Sequence, residues 1–255
     1  MSDKKRLDKP KLLKIKRRKL ILRLFFCSPF ILYILAHLFI SNGIGEQVVN
    51  RELLKSNEIG LYNKGHALKG ATLHHWKEWN KRSDLAVDSF EFIYKMDMGL
   101  VIYNRKITMR YWESWKVAQL NTDVEKIQAF WEIFRSCSKN FEEQQASIPW
   151  GLIPGTAQSS FRMGDLRGNF ISFCRAISSA NSSLATLALS NEIATMEHIY
   201  LCHEKEYDYA FVKELKPTNT ELVAIIDLLK SHSEVENTKS RRMDIGVTYH
   251  VEKRK

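Results

Sequence analysis

Proline and glycine are scarce, 5 and 11 among 255 residues. Segments that stay unfolded tend to be rich in both, which argues against long disordered stretches. Cysteine is thin too: Cys27, Cys137, Cys174 and Cys202. If the last three face an oxidising compartment, at least one stays unpaired. Cys137 and Cys174 fall on apolar helix faces that suit buried thiols. Most of the chain also lacks an excess of one charge. The formal net charge is +10, yet residues 1–23 hold eleven Lys or Arg against Asp3 and Asp8, which leaves the body close to neutral. Basicity confined to one arm is no nucleic-acid-binding face, and no nucleic-acid partner is expected.

Catalytic signatures are missing as well. Gly60 and Gly65 have the glycine spacing of a phosphate-binding loop, but His66-Ala67 stands where Lys and Ser or Thr are required. Without that Lys nothing neutralises the terminal phosphates. There is no Gly-x-Ser-x-Gly elbow around any serine, Ser159 and Ser160 included. Asp84, Asp88 and Glu91 form no diagnostic acid pair. His198, Cys202 and His203, with His74-His75, are the only hint of metal ligation, and their spacing is awkward for one helix. Neither a metal nor a cofactor is expected.

What is present begins with a long apolar run. The basic arm leads into 17 uncharged residues, 24–40, of which eleven are Leu, Ile or Phe. At about −0.3 to −0.6 kcal/mol each, these supply about −3 to −7 kcal/mol toward membrane insertion. The uncharged stretch continues through Gly45, about 33 Å as a helix against about 30 Å of hydrocarbon. Pro29 and His37 fall toward its ends, where a kink or a polar ring costs little. A cleaved signal peptide would have a shorter apolar core, with Ser41-Asn42-Gly43 the place to cut. Lys14, Lys16, Arg17, Arg18 and Lys19 precede the run directly and are read as setting its orientation, N-terminus in the cytoplasm. The next most apolar stretch, 170–189, contains Arg175, five Ser and Asn181 and is too polar to face lipid.

Beyond residue 45 the apolar pattern changes period several times. Val48, Val49, Leu53 and Leu54 fit a helix over 46–57. Trp76 and Trp79 give a short helix over 71–82 an aromatic edge. From Val87 to Val117 apolar and polar residues alternate, predicting two or three strands with turns at Asp97–Gly99 and Asn104-Arg105. Thr122 with Glu125 fits a capping box, and Ile127, Phe130, Trp131, Phe134 and Phe141 give the helix 123–144 a core face. Residues 147–168 read as a long loop, presenting Trp150, Phe161 and Arg162 for partner binding. Asp165 is placed to open a helix or helix pair broken near Asn181, with small residues that permit close helix contact or a second copy. A further helix is expected over 190–204, another after a cap at Thr218 with Glu221, and a late strand over 243–251.

These patterns predict an α+β, mainly helical fold: one N-terminal transmembrane helix and a soluble domain with a small antiparallel sheet. The divisions are a basic cytoplasmic arm (1–19), the membrane helix (20–45) and a soluble extracytoplasmic domain (46–255). The basic arm KLLKIKRRK, a single span ending near Ser41 and a body of about 200 residues resemble the layout of bacterial conjugation membrane proteins of the plasmid surface or entry exclusion type. That resemblance implies a single-pass protein of the inner membrane with its C-terminal domain in the periplasm. It implies a membrane protein of the conjugation apparatus as partner. Two function classes follow: a non-catalytic envelope interaction protein, a homo-oligomer among its options, or a membrane-anchored hydrolase whose site assembles only in the fold. A deep polar cleft with clustered His and acids would favour the enzyme, a flat apolar patch the interaction protein.

Overall fold

A computed structural model of the protein describes residues 53–68, 70–85, 88–102, 105–147, 163–178, 192–193, 207–232 and 239–253. Two three-stranded antiparallel sheets are present. The smaller has the order β2-β1-β5, from β1 (Leu53–Ser56), β2 (Gly60–Asn63) and β5 (Glu192–Ile193). The larger has the order β3-β4-β6, from β3 (Ser89–Ile102), β4 (Arg105–Ala118) and β6 (Ser240–Lys253). The helices are α1 (Lys64–Ala67), α2 (Gly70–Ser83), α3 (Asp123–Ala146), α4 (Met163–Ile177), α5 (Phe211–Glu214) and α6 (Thr220–His232).

The expected fold class is corrected on two counts. Instead of one small sheet in a mainly helical body there are two sheets, the larger built from three 14-residue strands. No helix among the described residues is long and apolar enough to cross a membrane, and residues 20–45, where the span was expected, lie outside them.

The expected helix over 46–57 is likewise a strand where it is described. Leu54 and Ser56 are buried while Lys55 is exposed, a period of two that four residues are too few to reveal. The hairpin β1–β2 closes on Gly60, whose φ of 84° suits a residue without a Cβ. Residues 192–193, expected in a helix, pair with β1 instead.

In the large sheet β3 and β4 pair without interruption from Ser89↔Ala118 to Ile102↔Arg105. Asp97–Gly99 is therefore mid-strand, and the expected turn there is absent. Its turn-like Asp instead makes a two-pronged salt bridge with Arg110 opposite, at 2.8 Å for each contact. Phe92, Tyr94, Met109, Tyr111, Trp115 and Val117 share the buried face. Over it lies α3, begun by Thr122, whose hydroxyl accepts from the Glu125 amide at 3.1 Å. The Glu125 carboxylate accepts from the Asn121 amide, one residue earlier than in a standard capping box.

Aromatic rings fill the space between layers. Phe130 and Phe134 of α3 meet Tyr94 of β3, Trp79 packs edge-on to Phe92 at 5.0 Å, and Phe173 of α4 stacks on Phe130. Each buried ring contributes about 1.5–3 kcal/mol by area alone, with edge-to-face contacts adding to that. Cys137 and Cys174 are buried free thiols within this core, and burial pushes both pKa values up.

The most demanding polar feature is Glu113, fully buried on the inner face of β4. Its carboxylate accepts from Tyr111 Oη, Trp115 Nε1, Ser136 Oγ and Asn140 Nδ2 at 2.7–3.1 Å. Arg242 of β6 stands 3.7 Å away. Donors from β4 and α3 thus converge on one buried charge, the condition under which burial is tolerated.

Helix α4 starts at Met163, so residues 163–168, expected within the long loop over 147–168, are helical, and 148–162 lie outside the described residues. Gly168 permits its close approach: a Cβ there would lie 2.6 Å from the Asn63 carbonyl oxygen and 2.8 Å from His66 Cβ. Asn219 caps α6 by accepting from the Leu222 amide at 3.0 Å. Thr218, the expected cap, instead donates its amide and hydroxyl to Glu58, whose pKa is lowered chiefly by that hydroxyl.

Candidate functional site

Three places on the described surface invite a functional reading. The first is a half-open groove of about 480 Å³ between α2 and the outer edge of β3, lined by His74, His75, Glu78, Arg82, Lys95 and Asp97 among others. It forms because α2 lies along an edge strand. Arg82 donates to the Glu91 carbonyl at 2.7 Å and His75 Nε2 lies 3.0 Å from the Lys95 carbonyl. The Lys95 amide lies 3.4 Å from the same Nε2; the shorter contact, to a carbonyl that only accepts, fits a ring that donates through Nε2. Burial pushes the His75 pKa down to about 4, against a lesser upward pull from that carbonyl. The ring is neutral at physiological pH and lies 4.3 Å from the Tyr94 ring.

Both acidic groups of the groove are committed too. Asp97 binds Arg110, and Glu78 binds Lys81 at 2.9 Å. No hydroxyl or thiol is among the groove-lining residues. His75 is half-buried and tied to a backbone carbonyl, and the groove lining offers it no hydroxyl or thiol to activate. What the groove does is protect a sheet edge: α2 side chains occupy hydrogen-bonding groups that would otherwise face outward.

The second place is a polar chain at the start of α4. Asn63 donates to Asp165 at 3.1 Å, and His66 Nδ1 lies 3.0 Å from Asn169 Oδ1. Asn169 Nδ2 donates to Ser138, which is 2.7 Å from Tyr209 Oη. His, Asp and Ser are all present, yet His66 contacts Asn169 and is 3.6 Å from Asp165. Ser138 is fully buried. The set joins α1, α3 and α4 internally and presents no nucleophile to a substrate. Asn63 also accepts from the Gly65 and His66 amides, the backbone donors that a phosphate at this turn would need.

The third place is β6. Register puts Ile245, Val247, Tyr249 and Val251 on the same face as Glu113, Tyr111, Met109 and Ile107 of β4. That is the core face, but α3 packs against β3 and β4. The β6 side chains therefore overhang: Ile245 is 50% exposed, Tyr249 48% and Val251 60%, with Met243 exposed beside them. Backbone parity adds a second property. Arg82 and His75 bind the carbonyls of Glu91 and Lys95, so odd-numbered residues of β3 aim their peptide groups away from β4. Carried across the ladder, the alternation aims the peptide groups of Ile245, Val247, Tyr249 and Val251 away from the sheet. The Ile245 amide indeed donates to the Asp244 side chain rather than to β4.

The residues singled out from sequence fare differently. Trp150, Phe161 and Arg162, and the orienting Lys14, Lys16, Arg17, Arg18 and Lys19, lie outside the described residues, as do Ser159, Ser160, His198, Cys202 and His203. The aromatic edge at Trp76 and Trp79 is not a surface: Trp79 is fully buried and Trp76 packs against Phe130. No group of three metal-ligating side chains occurs among the described residues. The late strand was read, but its edge position depends on pairing with β4, 138 residues earlier at Arg110↔Thr248, a contact that no local pattern shows. Comparison with known proteins leaves the family open: no family model, curated protein or solved structure matches this chain.

Proposed function

We propose that the chain is a non-catalytic protein-binding module of a membrane envelope, which takes up an extended strand from its partner along β6. The observation that carries this reading is the coincidence on one strand of exposed apolar side chains and outward-facing peptide groups. Strand addition needs both: main-chain bonds give affinity, and alternate side chains give apolar contact and selectivity. The opposite edge of the same sheet is occupied at Glu91 and Lys95 by α2. Tethering at the inner membrane, with the body in the periplasm, belongs to the same proposal. Its support is the charge step between residues 1–23 and the near-neutral body, together with the apolar run at 24–40. A role in conjugation is supported by that layout alone.

The test places a photo-crosslinking amino acid at Val251 of the full chain in native membranes. Protein adducts are expected, and Ile245→Pro should remove them, because proline deletes an outward amide yet is tolerated on an edge strand. Circular dichroism melting of the Pro variant verifies the fold. Absence of adducts from the parent, or adducts undiminished in a folded Pro variant, refutes strand addition at β6.

A further inference from the structure

The β6 edge is complementary to itself. We infer that its occupant is β6 of a second copy, antiparallel, with the twofold axis at Val247; this rests on the strand-addition reading above. Outward peptide groups sit on odd-numbered residues, so two copies form main-chain hydrogen bonds only in registers that set odd opposite odd. Allowed registers therefore differ in steps of two residues.

Charge selects among them. With Val247 opposite Val247 of the second copy, Ile245 faces Tyr249 and Asp244 faces His250, each pair occurring twice by symmetry. Asp244 and His250 are exposed, and both lie on the outer face opposite Ser114 and Thr108. Opposite-sign or hydrogen-bonding cross-strand neighbours favour pairing. Shifted by two residues one way, Asp244 would face Glu252, a repulsive pair; shifted the other way, it would face Thr248 and lose His250. The Val247 register avoids both. It also suits the shape of the outer face. Gly246 falls opposite Thr248, and Gly246 has no room for a side chain, since a Cβ there would lie 2.4 Å from the Trp112 indole. On the inner face the overhanging Ile245, Tyr249 and Val251 of the two copies become neighbours about the partly buried Val247, so apolar surface exposed in one copy is covered by the other. The product is one continuous six-stranded antiparallel sheet. A closed twofold contact of this kind joins the two β6 edges and stops at the dimer.

The test uses the purified full chain with Cys27→Ser and Cys202→Ser, because the two remaining native thiols are buried. Asp244→Cys and His250→Cys are made in separate chains and oxidised singly and mixed. Residues opposite each other in a non-hydrogen-bonded pair are about 4.5 Å apart at Cα, within disulfide range. The expected result is a covalent dimer in the mixture and none from either variant alone, since like positions lie roughly 20 Å apart in this register. Analytical ultracentrifugation of the uncrosslinked chain supplies the second reading. Asp244→Lys should weaken the dimer about tenfold, and adding His250→Asp should restore it. A monomeric chain, or disulfides from Asp244→Cys alone, overturns the self-pairing. If adducts at Val251 in membranes then join the chain only to a different protein, strand addition stands and the second copy falls. If there are no adducts, both fall.

Discussion

Replacing His75 by Phe isolates the titration of one half-buried ring. The phenyl ring keeps the packing against Tyr94 and Phe92 but loses the hydrogen bond to the Lys95 carbonyl. At pH 7 that loss should cost about 1 kcal/mol. The His75 pKa is about 4 in the folded chain against an ordinary 6.5. Above pH 6.5 the ring is neutral folded and unfolded. Between pH 6.5 and about 4 the unfolded chain binds a proton that the folded chain refuses, so the parent loses stability as pH falls, by about 1.4 kcal/mol per unit and about 3 kcal/mol across the window. The Phe variant has no such loss. The two stability curves should therefore cross near pH 6, with the variant ahead by about 2 kcal/mol at pH 4. Carboxylates with lowered pKa, Glu58 and Glu125 among them, destabilise both chains equally and cancel in the difference. Urea unfolding followed by tryptophan fluorescence at half-unit steps from pH 7.5 to 4 gives the comparison. A difference that stays constant over that range would refute the account of His75 as a neutral ring kept from water.

Two further substitutions probe the packing. Glu113→Ala should destabilise by about 3–5 kcal/mol, because it leaves Tyr111, Trp115, Ser136 and Asn140 donors buried without their acceptor; a loss under about 1 kcal/mol in urea melts would show that water replaces the carboxylate. Gly168→Ala should cost about 1–3 kcal/mol despite the better helix propensity of alanine, since the methyl group meets a backbone oxygen that cannot turn aside; a more stable variant would contradict the close approach of α4 to α1.

Features governed by neighbours in sequence were the legible ones. Helix α3 announced itself through Thr122, Glu125 and a three-to-four residue apolar spacing, and its core face is buried at Phe130, Trp131, Phe134 and Phe141. Alternation exposed β3 and β4, since each has one wet face, and it also marked β6, although both faces of that strand are largely exposed. Where reading failed, a distant partner had overruled local chemistry. Asp97–Gly99 carries turn residues but is held straight by Arg110 on the next strand. Thr218 looks like a cap but is taken by Glu58, 160 residues away. Leu53 and Leu54 fit helix and strand alike until β2 pairs with them. The β6 site was half visible: its apolar residues stand in the sequence, but their exposure follows from where α3 stops covering the sheet. The groove was not visible, because His75 acquires its character only from lying against the edge of β3.

Strand order in the large sheet also sets a timetable for synthesis. Its middle strand, β4, borders β3 on one side and β6 on the other, and β6 is the last of the three to be made. At about 5–20 residues per second, the ribosome needs on the order of ten seconds to pass from the end of β4 to the end of β6. Throughout that interval β4 is itself a border strand, carrying Arg110, Trp112 and Ser114 peptide groups that await β6. The nascent protein thus shows two successive sticky margins, first β4 and then β6, and on a polysome neighbouring copies present the first of them before any copy has made the second.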